Sequence, residues 1–234
     1  YAFIHAVSSR LREGQVTVVG NGSACVVGGH AYIIKKGQRF ITNSAIASMG
    51  YDLPAAIGAW TASRDKGCYS QGGDRSGEDL ILVTGDGSMQ MNLQELQTII
   101  HHRMGIKIFV INNGGYHSIR QTQKNFFGEP LIGIGVDSGD LSFPALDKLA
   151  AAYGYPYVSA RHNSELGEAV EKTLAAEGPA ICEVFVSMDQ NFEPKSSAKR
   201  LPDGTMVSPP LEDLSPFLPD EEMDENMIIP RIQK

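Results

Sequence analysis

Several features are scarce or missing from this sequence, and each gap excludes something. No apolar run in the 234 residues approaches the ~20 needed to span a bilayer, and the opening residues follow no signal-peptide pattern, so no membrane association is expected. Basic residues are in deficit: 20 Lys and Arg against 27 Asp and Glu leave a formal charge of −7. With no basic stripe to set against that charge, a nucleic-acid surface is not expected. Cysteine is sparse. Cys25, Cys68 and Cys182 are odd in number, far apart and without metal-ligand spacing, so they read as reduced thiols and point to a cytoplasmic setting. There is no internal repeat. With 42% hydrophobic and 20% charged residues the chain is ordinary for a globular protein, which removes the disordered class. Its length suffices for one proper core. The chain opens on Tyr1 rather than Met, and a piece of something longer is expected.

The stretch 79–116 organises the rest. Residues 80–83 and 106–111 are short β-branched runs of the kind that become strands buried on both faces of a parallel sheet. Between them, Met91, Leu93, Leu96, Ile99 and Ile100 predict a helix over 89–102, with Ser88 as its N-cap. The first strand ends in Gly85-Asp86-Gly87-Ser88 and the second in Asn112-Asn113-Gly114-Gly115. In open α/β sheets, ligands bind at the carboxyl ends of strands. Gly85 and Gly87 let the backbone approach an anionic group, and the following helix offers it free N–H groups. Asp86 repels a phosphate unless a divalent cation lies between them. One carboxylate, one side-chain carbonyl, a backbone carbonyl beyond the Asn pair and two phosphate oxygens nearly complete a Mg²⁺ octahedron at about 2.0–2.1 Å per bond. Singly, these are plain turn sequences; one βαβ unit apart, they are specific.

Gly85-Asp86-Gly87-Ser88 followed by Asn112-Asn113 resembles the signature of thiamine diphosphate (ThDP) enzymes. The segments 49–59, beginning Met49-Gly50-Tyr51-Asp52-Leu53-Pro54, and 91–97, beginning Met91-Asn92-Leu93-Gln94, narrow the resemblance to acetolactate synthase-like large subunits, and only to their C-terminal, diphosphate-binding domain. The resemblance implies Asp86, Asn113 and the Gly115 carbonyl on Mg²⁺. It implies Gly85, Gly87, Ser88 and the loop Asn21-Gly22-Ser23 against the diphosphate. It also implies Met49 as the bulky residue that folds the cofactor, with the Ala47 carbonyl and the Met49 amide on the pyrimidine ring. The departures are Ser23 and Ala24, where acetolactate-forming members carry Gln and His, and Thr122, near a Trp that selects the acceptor in biosynthetic members. Contact of 21–23 through backbone amides is therefore the safer expectation.

Along the rest of the chain, Phe3, Ile4, Val7 and Leu11 predict an amphipathic helix over 1–12, followed by strands at 16–20 and 39–42 and a helix over about 54–62. Residues 63–77, rich in Gly, Ser and charge, read as a surface insertion. Over 117–127, Ile119 with Phe126 or Phe127 predict a packed face, leaving His117, Arg120 and Gln123 polar. His117 is a candidate for contacting a substrate carboxylate or moving a proton, the alternative being a solvated histidine at a helix start. A Ser142-capped helix over 143–153, a strand over 155–158, a helix to 176 capped by Asn163 or Ser164, and a strand over 179–186 complete the pattern. The expected fold is a three-layer α/β/α domain over 1–188 with a six-stranded, mostly parallel, doubly wound sheet. From 189 to 234, prolines are expected to break regular structure. The tail's apolar residues, among them Leu211, Phe217 and Ile228, suggest that it packs on a neighbouring domain or subunit.

The resemblance implies decarboxylation of a 2-keto acid such as pyruvate and carboligation to a second carbonyl, with ThDP and Mg²⁺ as cofactors. It implies FAD, if present, in a middle domain outside this chain, and a homodimer or homotetramer. No stretch here matches the pyrimidine-binding domain that carries the family's glutamate; that domain belongs to the same or a neighbouring subunit. The chain alone is expected to bind cofactor weakly and not turn over. A different acceptor such as a keto-sugar, or a non-catalytic module of the same fold, are the alternatives.

Overall fold

In the computed structural model, which describes residues 1–64 and 79–231, the β-branched runs become one sheet. Its strands are β1 (Val16–Val19), β2 (Arg39–Thr42), β3 (Leu80–Gly85), β4 (Ile106–Asn112), β5 (Tyr157–Ala160) and β6 (Ala180–Phe185). They lie in the order β2-β1-β3-β4-β6-β5, and every pairing is parallel. The helices of this unit are α1 (Ala2–Arg10), α2 (Ser23–Ala31), α3 (Asp52–Arg64), α4 (Asp86–Gln90), α5 (Glu95–His101), α6 (His117–Phe126), α7 (Leu146–Tyr153) and α8 (Leu166–Ala175). The architecture is the expected three-layer α/β/α sandwich. Because side chains alternate across a strand, Leu80, Leu82, Ile106 and Ile108 join Leu53, Leu96, Ile99, Leu146 and Ala150 in one core. Phe109 points the other way, meeting Phe3 of α1 with ring centroids 5.9 Å apart. Both central strands are closed to water, which is why they carry apolar runs, interrupted in β4 by the buried Lys107.

The chain leaves β1 toward β2, then returns across the sheet to β3 and continues the other way to β4. This reversal opens a crevice between the carboxyl ends of β1 and β3, the usual ligand position in a doubly wound sheet. Gly20 N–H donates to Val83 O at 2.8 Å, so the β1 tip is held level with that of β3.

Several local expectations change. The single helix over 89–102 is two, α4 and α5, joined by turns over 91–94. Asn92 interrupts it by turning its side-chain N–H onto the Gly50 carbonyl at 2.7 Å. Ser88 lies inside α4, with Gly85 rather than Ser88 at the N-cap. Residues 23–31 form a helix that the two glycines in Ser23-Ala-Cys-Val-Val-Gly-Gly did not announce. Packing carries it: a Cβ on Gly28 would lie 3.1 Å from the Phe40 ring. The helix expected from Ser142 starts at Leu146 with Ala145 at its N-cap. The strand expected over 155–158 runs over 157–160, because the Tyr155 hydroxyl leaves the sheet to donate to Leu96 O. The helix after β5 is entered through a capping box between His162 and Glu165 rather than a cap at Asn163 or Ser164. Of the segment read as a surface insertion, residues 65–77 lie outside the described residues, as does Cys68; Cys25 and Cys182 are free.

The sharpest reversal is α6. Ile119, expected to pack with Phe126 or Phe127, is exposed, as are both phenylalanines, whereas His117 and Arg120, read as the polar side of the helix, are buried. The reason is electrostatic and is taken up below.

Residues group into two compact units, Tyr1–Gln190 and Asn191–Lys234. The second has regular structure despite its prolines: β7 (Lys199–Arg200) pairs antiparallel with β8 (Met206–Val207), and α9 (Asp220–Asn226) follows. The prolines fall between these elements rather than within them. Leu211, Ile228 and Ile229 are exposed and Met223 is buried. Among the described residues, no helix is long and apolar enough to cross a membrane.

Candidate cofactor site

Four loops meet at the crevice: the β1 tip with Asn21, Gly22 and Ser23; the turn with Ala47 and Met49; the β3 tip from Gly85 to Ser88; and the β4 tip with Asn113 and Gly115. Together with His117 they line one cleft of about 190 Å³. All the residues singled out in the sequence for cofactor or cation contact, from Asn21 to Gly115, are therefore brought together.

Asp86 sits at its centre. Its Oδ1 accepts the Gly87 N–H at 2.8 Å and its Oδ2 the Gly115 N–H at 3.0 Å. Burial pushes the carboxyl up from 3.8 to about 6, against the pull of the Gly87, Gly115 and Gly114 amides and the Arg120 charge. Asn113, 5% exposed, lines the same cleft. Its Nδ2 donates to Ser23 Oγ at 3.0 Å, while its Oδ1 is buried with no partner among the described residues. A buried acceptor left unpaired costs about 1–3 kcal/mol, so an oxygen in that state fits a missing electrophile. Among the described residues, no three His, Cys, Asp or Glu side chains gather as a metal cage. The oxygens offered by the lining residues are instead those of the Asp86 carboxylate, the Asn113 amide and the Gly115 carbonyl, hard ligands that suit a Mg²⁺-like ion completed by the oxygens of a bound anion.

Around this pair, polar side chains are spent on fixing loops. The Ser88 hydroxyl donates to Asp52 Oδ1 at 3.0 Å and accepts the Gly50 N–H at 3.0 Å, which ties the Met49 turn to α4 and leaves ligand contact to backbone amides. Asp52 was not singled out by its sequence context. It is fully buried, also accepts from the Thr84 hydroxyl, and has its carboxyl raised by burial. A Cβ on Gly20 would fall 2.2 Å from Asp52 Oδ2, so the glycine ending β1 is what admits the carboxylate. Asn21 donates to the Ala47 carbonyl at 2.9 Å, so the side chain of Asn21 braces the neighbouring turn. Gly87 lies under the Tyr116 ring, where a Cβ would come within 2.5 Å of it. Tyr116 is in turn held edge-on by Phe143, centroids 5.5 Å apart.

His117 is less free than a general base needs to be. Its Nε2 is 2.7 Å from the Gln190 carbonyl, to which it donates, and its Nδ1 faces Arg120 Nη1 at 3.4 Å. Burial lowers its pKa, and the Arg120 charge acts in the same direction, which favours the neutral ring. Arg120 is the group that a pattern of apolar spacing could not reveal. Glu183 is another: on β6, it accepts the Asn112 side-chain N–H at 2.6 Å, and Asn112 Oδ1 accepts the Gly114 N–H at 3.0 Å.

The model of the family described as thiamine pyrophosphate enzyme, C-terminal TPP binding domain, matches residues 20–184. The acetolactate synthase large subunit of Cyanidium caldarium is 33% identical over 157 residues, covering 67% of this chain and 24% of that protein. The acetolactate synthase of Arthrospira platensis is 31% identical over 157 residues, covering 67% and 24%. The isozyme 1 large subunit of Escherichia coli K12 is 23% identical over 194 residues, covering 83% and 32%. The chain thus spans about a quarter to a third of the length of these relatives. With the matched region running from the β1 tip to the end of β6, through every loop that lines the cleft, the chain belongs to the thiamine pyrophosphate enzymes as a C-terminal TPP-binding domain.

Proposed function

We propose that this domain anchors Mg²⁺ and ThDP for an acetolactate synthase-like enzyme. Asp86, Asn113 and the Gly115 carbonyl hold the cation. The amides of Gly87 and Ser88 and of the 21–23 loop, with Gly85 allowing close approach, receive the diphosphate, and Met49 supports the folded cofactor. The observation that carries this reading is the buried Asn113 Oδ1, without a partner among the described residues, in the cleft that Asp86 also lines at the sheet's switch point. When bound, ThDP supplies decarboxylation of a 2-keto acid and transfer of the resulting fragment to a second carbonyl. The chain's residues anchor, orient and shield; the glutamate that the cofactor needs comes from a pyrimidine-binding domain of the same or a neighbouring subunit. Pyruvate is the donor that the resemblance to acetolactate synthase-like large subunits implies, in a homodimer or homotetramer, with any FAD held outside this domain.

A keto-sugar acceptor is the second reading. It is favoured by Ala24, fully buried inside α2 where acetolactate-forming members of the resembled family carry a His, and by the small, exposed Thr122.

Titrating ThDP into the chain with Mg²⁺ and again with a chelator tests the anchor. Binding is expected only with the cation, and Asp86→Ala abolishes it. Equal ThDP binding by Asp86→Ala and the parent chain would overturn the assignment.

A further inference from the structure

Arg120 is an unusual residue to bury. Its side chain is closed to water in the first turns of α6, and it faces the loop that carries Asn113 and Gly115. Its Nη1 donates to the Asn113 carbonyl and its Nη2 to the Gly114 carbonyl, both at 3.2 Å. The other side of the guanidinium is gripped by Asp137, with Nε to Oδ2 at 2.7 Å and Nη2 to Oδ1 at 2.8 Å. A buried cation is expensive unless paired and hydrogen-bonded, and here both conditions are met. The planar fork fits two adjacent carbonyls and a carboxylate at once, which a lysine ammonium cannot do.

A second observation converges on the same loop. Gly115 and Gly135 form an antiparallel bridge, Tyr116 N–H donating to Ile134 O and Val136 N–H to Gly114 O. A Cβ on either glycine would fall 3.0 Å from Arg120 Nη2, so the guanidinium lies directly against this glycine pair. The carbonyls of 113 and 114 are thus turned toward Arg120, and the 114–115 peptide, whose carbonyl Arg120 holds, presents its N–H to Asp86. The Asn113 side chain is left facing Ser23 with its Oδ1 unpaired.

We propose that Arg120, braced by Asp137, is the positioning residue that presets the 113–115 loop for the cation. The inference rests on the Mg²⁺–ThDP reading above. It assigns to α6 a function that its exposed apolar residues conceal: the helix is anchored inward by charge rather than by hydrophobic contact. Arg120 touches neither cation nor cofactor in this account; it acts through Asn113 and Gly115.

The test measures the Mg²⁺ concentration for half-maximal ThDP binding by calorimetry on the full chain, alongside the thermal unfolding midpoint. Arg120→Lys keeps the charge and loses the fork. Its half-saturating Mg²⁺ is expected to rise about 10- to 100-fold, the usual consequence of removing a group that orients a metal ligand, with ThDP affinity recovering at saturating Mg²⁺. A merely structural role predicts a lowered midpoint with unchanged Mg²⁺ dependence, and that result would overturn the proposal. Asp137→Asn, altered at the partly exposed end of the clamp, covers the case in which Arg120→Lys does not fold. It too must raise the half-saturating Mg²⁺, and an unchanged value sinks the idea. Loss of binding in Asp86→Ala with wild-type behaviour in Arg120→Lys would refute this inference alone. A parent chain with no Mg²⁺-dependent binding would refute the underlying reading.

Discussion

Asn113 hands its side-chain N–H to Ser23 Oγ at 3.0 Å, across the tip of β3, and this bond decides which way the amide faces. With the nitrogen committed, the oxygen is the end left buried and unpaired. Ser23→Ala should free the amide to rotate and weaken Mg²⁺-dependent ThDP binding by about tenfold, the low end for such supporting partners. Ser23→Thr, which keeps a hydroxyl, should restore most of it. Calorimetric titration of both variants checks this; equal affinities for Ala and Thr would contradict it.

The cation-free chain should lose stability as pH rises from 4 to 6. Asp86 has a folded value of about 6, above its ordinary 3.8, so in that window the folded state binds more protons than the unfolded state. The linkage relation then makes stability fall with rising pH, by at most about 3 kcal/mol, and level off above pH 6. Asp52, fully buried with its carboxyl also raised, acts in the same direction. Mg²⁺-dependent ThDP binding should behave oppositely, strengthening from pH 5 to 7, because the proton must leave Asp86 before a cation can take its place. Denaturant midpoints across this range in chelator, and again for Asp86→Asn, measure the first effect. A slope unchanged in Asp86→Asn would contradict the attribution.

What could be read from the sequence follows from the kind of force involved. Strands β3 and β4 were legible because burial on both faces demands runs such as Leu80-Ile-Leu-Val and Ile108-Phe-Val-Ile. The strand tips were legible because glycines, a carboxylate and amides cluster where the sheet opens. Helix α6 was not, since apolar spacing assumes that hydrophobic burial sets the inward face. There the inward face is set by Arg120, which finds two carbonyls and Asp137, seventeen residues on. Asp52 was illegible for a similar reason: its neighbours, Gly20 on one side and its donors Thr84 and Ser88 on the other, come from two segments remote from it in sequence.

The inverted face of α6 predicts opposite outcomes for neighbours on one helix. Phe127→Ser, at a position 80% exposed, should change unfolding free energy by no more than about 0.5 kcal/mol. Arg120→Met, similar in length but apolar, strands Asp137 and the two loop carbonyls and should cost about 3 kcal/mol or more. Urea unfolding of the pair checks the contrast, and a larger loss at Phe127 would mean that this face is packed after all.

Gly115 has no room for a side chain. Its φ is +150°, and a Cβ would lie 2.0 Å from the Ile134 carbonyl and 2.8 Å from the Gly135 Cα, both backbone atoms that cannot swing aside. Gly115→Ala should therefore part the bridge between the two loops, destabilise the domain by about 2–3 kcal/mol and weaken cation-dependent binding. Hydrogen exchange at the Tyr116 and Val136 amides, which donate across this bridge, would register the opening. Unchanged protection would contradict it.

The most direct measurement is a crystal structure of the chain with Mg²⁺ and ThDP. A single octahedral ion is expected within about 2.0–2.1 Å of an Asp86 carboxylate oxygen, Asn113 Oδ1 and the Gly115 carbonyl, with diphosphate oxygens among its remaining ligands. A diphosphate bound away from the β3 tip, or an ion that leaves Asn113 Oδ1 unpaired, would contradict it.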